Sequence, residues 1–368
     1  MTTIPDIEAL IGNRLPPEAH RARLLSASIG ESPSKYSRSP AMWNAAFAAV
    51  GLDAHHVPLD VDGEHLAGLV AALRAYPGFM GSNVTVPHKL AVMALLDEVD
   101  PIAQQIGAVN TFALGPDGRL TGYNTDADGL IDSVLRALPG QSAPFLASLS
   151  GMRTLLIGAG GAARASAFAL AAHIDGATLT ITNRTLKRAE ELAAEVARTG
   201  AAVAAVAQQD ALALLPGIDL VVNASTVGQS GVRHLGGGKA TSLEPFSSLV
   251  PADPPVLPDE GPDDDAFLAR WSAAAGGAIA ASQAAAEAAL AACPPATAFV
   301  DAVYSPDETV LLRQARLRGH RTLNGKGMLI MQAAAGFVQR MARRHLEAAG
   351  HDPDALHDRV VAAMEAAF

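Results

Sequence analysis

The sequence predicts an α/β fold built in two parts around mainly parallel sheets. Three observations carry this. Strand-like and helix-like runs alternate through much of the chain. A glycine turn joins the apolar run Thr154–Ile157 to an alanine-rich helix. The 368 residues are long for one domain and comfortable for two.

The first strand is Leu24–Ile29, ended by Gly30 and the turn-rich Glu31–Pro40. Ala41–Val50 reads as a helix closed by Gly51, a good C-terminal stop. His55–Leu59 reads as a short strand, Asp62–Leu73 as a helix and Gly78–Val86 as a strand. Pro87 suits the first turn of a helix running to Leu96. Ala108–Leu114 and Leu120–Tyr123, joined by Gly-Pro-Asp-Gly, have the form of a hairpin. A second block opens with the strand Arg153–Ile157, and the strands Thr178–Thr182 and Leu220–Asn223 flank an amphipathic helix at Leu186–Ala197. Residues 229–295 break this rhythm, being rich in Gly, Pro, Asp and Ala; Ala266–Cys293 within them reads as one or two helices. Regular patterning resumes at Ala298–Tyr304 and ends in helices from about Met328.

Composition excludes several classes of function. With 27 Lys+Arg against 37 Asp+Glu, the formal charge of −10 opposes a duplex nucleic-acid binder, which would show a concentrated basic face. A single Cys excludes an intrachain disulfide framework and a Cys-based zinc site, and fits a reducing, cytoplasmic setting. The N-terminus lacks the basic-then-apolar pattern of a signal peptide, and Ala273–Ala292, interrupted by Gln283 and Glu287, is a poor membrane span. No metal is expected, because the 11 His form no HExxH or comparable set. The acidic stretch 259–265 reads as a solvated loop, and Cys293 as inert.

Gly158-Ala159-Gly160-Gly161-Ala162-Ala163 follows a strand and opens a helix. In that setting Gly158 permits a tight turn, Gly160 lets backbone approach a pyrophosphate, and Ala163 lets helix pack on strand. The diphosphate would rest on the free N–H groups of the helix start. The next strand ends in Asn183-Arg184-Thr185, followed by Lys187 and Arg188, with no acidic residue before Glu190. An acidic residue there would suit a ribose 2′-hydroxyl. Arg184 and Arg188 instead suit a 2′-phosphate, so the expected cofactor is NADP.

Polar residues interrupt the pattern in four short segments: Ser37-Arg-Ser39-Pro40, Asn83-Val-Thr85-Val-Pro-His-Lys89, Val109-Asn110-Thr111 and Asn124-Thr125-Asp126. In order along the chain, Ser37-x-Ser39-Pro40…Asn44, Asn83-x-Thr85-x-Pro-x-Lys89, Gly107-x-x-Asn110-Thr and Gly122-x-Asn124-Thr-Asp126 resemble the shikimate dehydrogenase family. So do the glycine turn, Asn183-Arg184-Thr185, Asn223-Ala-Ser225, Asp301-x-x-Tyr304 and Gly325-x-Gly327-Met328-Leu329-x-x-Gln332. The resemblance spans about residues 26–340 apart from 229–295.

It implies an N-terminal α/β substrate domain (1–127, completed by 326–368) and a Rossmann-like NADP-binding domain (128–325, with an atypical insertion at 229–295). The active site would lie in the cleft between them. The implied reaction is reduction of 3-dehydroshikimate to shikimate by hydride transfer from NADPH, with a small-molecule substrate and a monomer or homodimer as the working form. Lys89 would be the proton donor, and Asp126 would keep it charged and oriented. Ser37 and Ser39, two apart on an extended segment, would grip a carboxylate from one side. Asn83, Thr85, Asn110, Tyr304 and Gln332 would pair ring hydroxyls. Asn223, Ser225, Thr226, Gly325 and Met328 would line the nicotinamide side. Tyr36 stands where the family often has His. Quinate and aminoshikimate remain open as substrates, and a catalytically silent NADP-binding regulatory paralogue remains open as an alternative.

Overall fold

The computed structural model describes residues 2–261 and 263–368, and the chain divides into two compact units. Met1–Pro144 together with Met328–Phe368 forms the first, and the contiguous stretch Phe145–Gly327 forms the second. Residues 128–144 thus fall with the first unit.

The first unit is built on a six-stranded sheet. Its strands are β1 (Leu24–Gly30), β2 (Ala54–Asp60), β3 (Phe79–Val84), β4 (Glu98–Val99), β5 (Thr111–Leu114) and β6 (Leu120–Tyr123). They lie in the order β2-β1-β3-β5-β6-β4. β1 pairs in parallel with β2 and β3, whereas β5 is antiparallel to both β3 and β6, so the hairpin read from Gly115–Gly118 is present. Both faces are covered, and β1 shows how. Leu25, Ala27 and Ile29 join one apolar layer with Ile7, Leu69 and Leu73. Ser26 and Ser28, equally buried, turn to the other face. There Trp43, Phe47 and Met80 pack with Phe337, Val338 and Met341 from the end of the chain.

One helix reading is corrected. Residues 87–90 are a turn, and only Ala91–Leu95 is helical, as a short 3-10 segment. The carbonyl of Lys89 accepts from the N–H of Val109 at 2.8 Å, so it is not available to the next helical turn. Lys89 is therefore not at the start of an α-helix.

The second unit carries a six-stranded parallel sheet of β7 (Thr154–Ile157), β8 (Leu179–Asn183), β9 (Val203–Ala207), β10 (Leu220–Asn223), β14 (Ala298–Asp301) and β15 (Arg321–Leu323). Its order is β15-β14-β10-β7-β8-β9, so by appearance the strands lie 3-2-1-4-5-6, the doubly wound dinucleotide-binding arrangement. β9 and β15 escape the sequence pattern. Half-exposed alanines make up most of β9, and β15 has three residues.

Between β10 and β14 the stretch read as irregular is ordered. β11 (Val232–Gly236), β12 (Lys239–Ser242) and β13 (Leu257–Pro258) make an antiparallel sheet in the order β11-β12-β13. One helix, Asp264–Leu290, follows, started by Asp263, whose side chain accepts from the N–H of Ala266. Its first half buries Phe267, Trp271 and Ala275 against Phe246 and Ala240 of the small sheet region. Its second half buries Ala286 and Leu290 against Val221 and Phe299 of the parallel sheet. The acidic stretch before it is partnered in part, Asp259 hydrogen-bonded to His234 and Glu260 ion-paired with Arg270.

Candidate active site

In the first unit the predicted catalytic residues meet. The Nζ of Lys89 donates to Oδ2 of Asp126 at 2.5 Å, with the two side chains 16% and 10% exposed. Several elements fix this pair. The bond from the N–H of Val109 to the Lys89 carbonyl holds residue 89 beside the segment that carries Asn110. Asp126 opens the helix Asp126–Leu135, where the backbone N–H groups favour negative charge. Its own N–H donates to Oδ1 of Asn124, and Asn124 is anchored by donating to the carbonyl of Ala108.

Asn110 is the hub. Its Nδ2 lies 2.8 Å from Oδ1 of Asp126, 3.1 Å from Oγ1 of Thr125 and 3.3 Å from Oε1 of Gln332. Its Oδ1 accepts from the N–H of Thr125 at 2.8 Å. The Thr125 hydroxyl also lies 3.3 Å from the same Gln332 oxygen. Both oxygens of the Asp126 carboxylate are thus held by donors, and the Lys89 ammonium is aimed by a charge-assisted bond in a largely dehydrated setting. Thr125 belongs to this network although it was not among the predicted site residues. Its place between Asn124 and Asp126 was the available signal.

Asn83 lies on β3 and is buried, and its Oδ1 has no partner within the protein, as expected of a group that meets a ligand. Thr85 follows the same strand, its N–H bonded to the carbonyl of Ile29; a Cβ on Gly30 would overlap its methyl group. The two serines depart from expectation. Arg38 between them has helical dihedrals, so Ser37 and Ser39 do not sit on an extended segment. Ser39 begins the helix Ser39–Val50, and its N–H donates to Oγ of Ser37 at 3.2 Å. Helix initiation overrides the extended reading and places both hydroxyls at one helix start. Tyr36 beside them is 43% exposed. His88 is turned away, its Nε2 bonding the carbonyl of Val61.

Against the helix that Ser39 begins lies a buried cluster that the sequence did not advertise. Both nitrogens of His56 are engaged, Nδ1 by Ser26 Oγ at 2.8 Å and Nε2 by Ser28 Oγ at 2.7 Å. The ring stacks on Trp43 at 4.9 Å between centroids. Burial first, and then the neighbouring His55, push its pKa down to about 3. Asn44 fixes the strand here by bonding both backbone groups of His56.

The second unit presents the predicted cofactor residues at the carboxyl ends of its strands. Gly158 has φ +119°, and a Cβ there would lie 3.0 Å from the carbonyl carbon of Ala224 and 3.1 Å from the N–H of Ser225. This is the point where the strand order reverses, between β7 and β10, the crevice where such sheets take ligands. Ala159 continues the turn, and Gly160, with open space where a Cβ would be, precedes the helix Gly161–His173, which also contains Ala162. Asn183 ends β8 and donates to the carbonyl of Thr185, which precedes the helix Leu186–Ala197. Arg184, Lys187 and Arg188 are exposed, and none of them makes an ion pair among the described residues. Backbone cradle, helix start and available guanidinium groups together fit a dinucleotide with a 2′-phosphate.

The remaining predicted residues are distributed as follows. Asn223 turns inward, donating to Asp301 Oδ1 at 2.8 Å and to the Val227 carbonyl while accepting from Ser225. Asp301 is fully buried; burial pushes its pKa up to about 6 against the pull of its bonds from Val303, Thr309 and Asn223. Gly325 is required by packing, since a Cβ would overlap the carbonyl of Ala302. Tyr304, assigned to substrate, is in the second unit, and Met328, assigned to cofactor, is buried in the first. Cys293 is buried, and its thiol is pushed up to about 11.

Comparison with known proteins agrees with this arrangement. Residues 29–112 match the shikimate dehydrogenase substrate-binding domain, and residues 142–234 match the shikimate/quinate 5-dehydrogenase model. Shikimate dehydrogenase (NADP(+)) of Shouchella clausii is 33% identical over 326 residues, 85% of this chain and 96% of that enzyme. Shikimate 5-dehydrogenase of Thermus thermophilus, solved with NADP(H) and shikimate, superposes with a TM-score of 0.62 at 30% identity, covering 94% of this chain and 100% of that one. Quinate dehydrogenase of Corynebacterium glutamicum, solved with NAD, gives a TM-score of 0.67 at 28% identity over 94% and 98% of the two chains. With its paired lysine and aspartate, its glycine cradle and relatives matched over nearly their full length, this chain belongs to the shikimate dehydrogenase family.

Proposed function

We propose that the protein is an NADP-dependent shikimate dehydrogenase that reversibly reduces 3-dehydroshikimate to shikimate. The observation that carries this reading is the Lys89–Asp126 pair, held at 2.5 Å and locked by Asn110. NADPH supplies the hydride when bound. Lys89 Nζ gives a proton to the alkoxide oxygen that develops as the ketone is reduced, and takes it back in the other direction. Asp126 keeps that ammonium charged and aimed, and its carboxylate accepts from a substrate hydroxyl. Asn83, Thr85, Asn110, Thr125 and Gln332 pair the remaining hydroxyls, so an analogue lacking one leaves buried polar groups unmatched. Ser37 and Ser39 donate to the carboxylate.

In the second unit Gly158, Ala159, Gly160, Gly161 and Ala162 hold the diphosphate. Asn183, Arg184, Thr185 and Arg188 surround the 2′-phosphate. Asn223, Ser225, Thr226 and Gly325 form the nicotinamide side. The domain division that serves this reading follows the two compact units, a substrate domain of 1–144 completed by 328–368 and a cofactor domain of 145–327. A monomer or homodimer in the cytoplasm completes it. Quinate is the second reading, favoured by the likeness to the Corynebacterium enzyme.

The test is absorbance at 340 nm with shikimate and quinate, each paired with NADP and NAD. Shikimate with NADP is expected to give the highest kcat/KM, and no turnover with any pair would refute the assignment. Lys89→Ala should lower kcat by about 10³-fold while the NADP Kd changes less than about twofold; equal loss of both would contradict the role given to Lys89.

A further inference from the structure

The segment between β10 and β14 is tied to the cofactor unit at the carboxyl end of the parallel sheet. Arg233, on β11, donates from Nη1 to Oγ1 of Thr226, in the loop that leaves β10. Ser230 bonds Ser305 through both backbone and hydroxyl, and the N–H of Gly228 donates to the carbonyl of Leu243. The loop that Arg233 holds is the one packed against the glycine turn: Ala224 and Ser225 are the atoms a Cβ on Gly158 would meet at 3.0–3.1 Å.

Cations near that turn are few. The turn itself, residues 158–163, contains none. Arg164, the next residue, is ion-paired with Glu195. Arg184 follows the end of β8 and Arg188 lies in the first turn of the helix Leu186–Ala197, where the proposed function puts the 2′-phosphate. A dinucleotide diphosphate carries two negative charges, of which the helix start offsets only about half of one. Arg233 is exposed, has no carboxylate partner among the described residues, and is fixed by the Thr226 hydroxyl.

We infer that Arg233, delivered by the inserted three-stranded sheet and steadied by the Thr226 hydroxyl, is a cofactor-binding residue that places positive charge at the diphosphate. This rests on the dinucleotide reading of the second unit. It gives the insertion a function in binding, and it separates two kinds of arginine. Arg184 and Arg188 distinguish NADP from NAD, whereas Arg233 serves the part that both cofactors share.

The test is fluorescence titration of the purified full-length chain with NADPH and with NADH, and calorimetry with 2′-AMP, which has no diphosphate. Arg233→Ala should raise the Kd of both reduced dinucleotides by the same factor, about tenfold for one charge-assisted contact, and leave 2′-AMP binding unchanged. Arg233→Lys should recover part of the loss. Unchanged affinity for both dinucleotides would overturn the inference, as would a loss confined to NADPH, which would place Arg233 at the 2′-phosphate. A loss of 2′-AMP binding as well would reduce it to a structural role. If the wild-type chain binds neither dinucleotide, the dinucleotide reading itself fails, and that result is distinct from all of these.

Discussion

The buried His56 makes the stability of the first unit depend on pH in a calculable way. Folded, the imidazole is pushed down to about 3, mainly by burial, against an ordinary value of 6.5. Because the folded pKa is depressed, the unfolded chain binds the proton more readily once the pH falls below 6.5. Stability is therefore lost as the pH drops. Between pH 7 and pH 4.5 the loss amounts to about 2–3 kcal/mol. His56→Gln removes the titration but keeps a donor and an acceptor for Ser26 and Ser28. It loses the stacking on Trp43 and leaves a small void, at about 2–4 kcal/mol at pH 7. The gap between wild type and variant should then shrink by about 2–3 kcal/mol on acidification to pH 4.5. Urea denaturation followed by tryptophan emission measures this. The chain has two Trp, and a Trp271→Phe background leaves Trp43, which touches His56, as the reporter. The difference between variants is the quantity to use, because Asp301 titrates with the opposite sign in the second unit. Parallel stability–pH curves for wild type and His56→Gln would refute the reasoning.

Asp301 provides the counterpart. Its folded pKa, raised to about 6, means stability present at low pH and lost as the pH rises through 6. Asp301→Asn should gain on wild type between pH 4 and pH 7, as read by urea denaturation with Trp271 as the reporter. Gly158→Ala places a side chain at φ +119° and 3.0 Å from Ala224, so calorimetry should find NADP binding weakened at least tenfold. Changing Arg184 and Arg188 together to Gln should weaken NADP far more than NAD in fluorescence titrations; equal loss would remove them from the 2′-phosphate.

The sequence showed the cofactor unit where its physics is local. An apolar strand, a glycine turn and an alanine-rich helix announce themselves within twenty residues, and Gly158 proves to need the freedom that only glycine has. The Lys89–Asp126 pair was legible as a pair, but not as a hydrogen-bonded centre, because Asn110 and Gln332 are brought together across 222 positions of sequence. The 3-10 segment after Pro87 escaped for a related reason: the Lys89 carbonyl is claimed by Val109, a tertiary partner that no local pattern announces. His56 was hidden because β2 reads as a strand whatever its histidines do. Residues 229–295 looked irregular because β11 to β13 are only two to five residues long, although their sheet and the helix Asp264–Leu290 share the buried Trp271.

The contiguity of the second unit has a consequence for how the protein is made. Residues 145–327 are one unbroken stretch set inside the first unit, which waits for Met328–Phe368. On the ribosome the nucleotide-binding half can close its sheet when β15 emerges, while the other half still lacks the helices that bear Phe337 and Gln332. Phe337 seals the layer over Trp43 and Phe47, and Gln332 bonds Asn110. A chain that stops short of residue 328 therefore carries Lys89 and Asp126 but not the last member of the centre around them. Synthesis itself orders the two events: the second unit can close before the network around Lys89 and Asp126 is complete, which requires the final 41 residues.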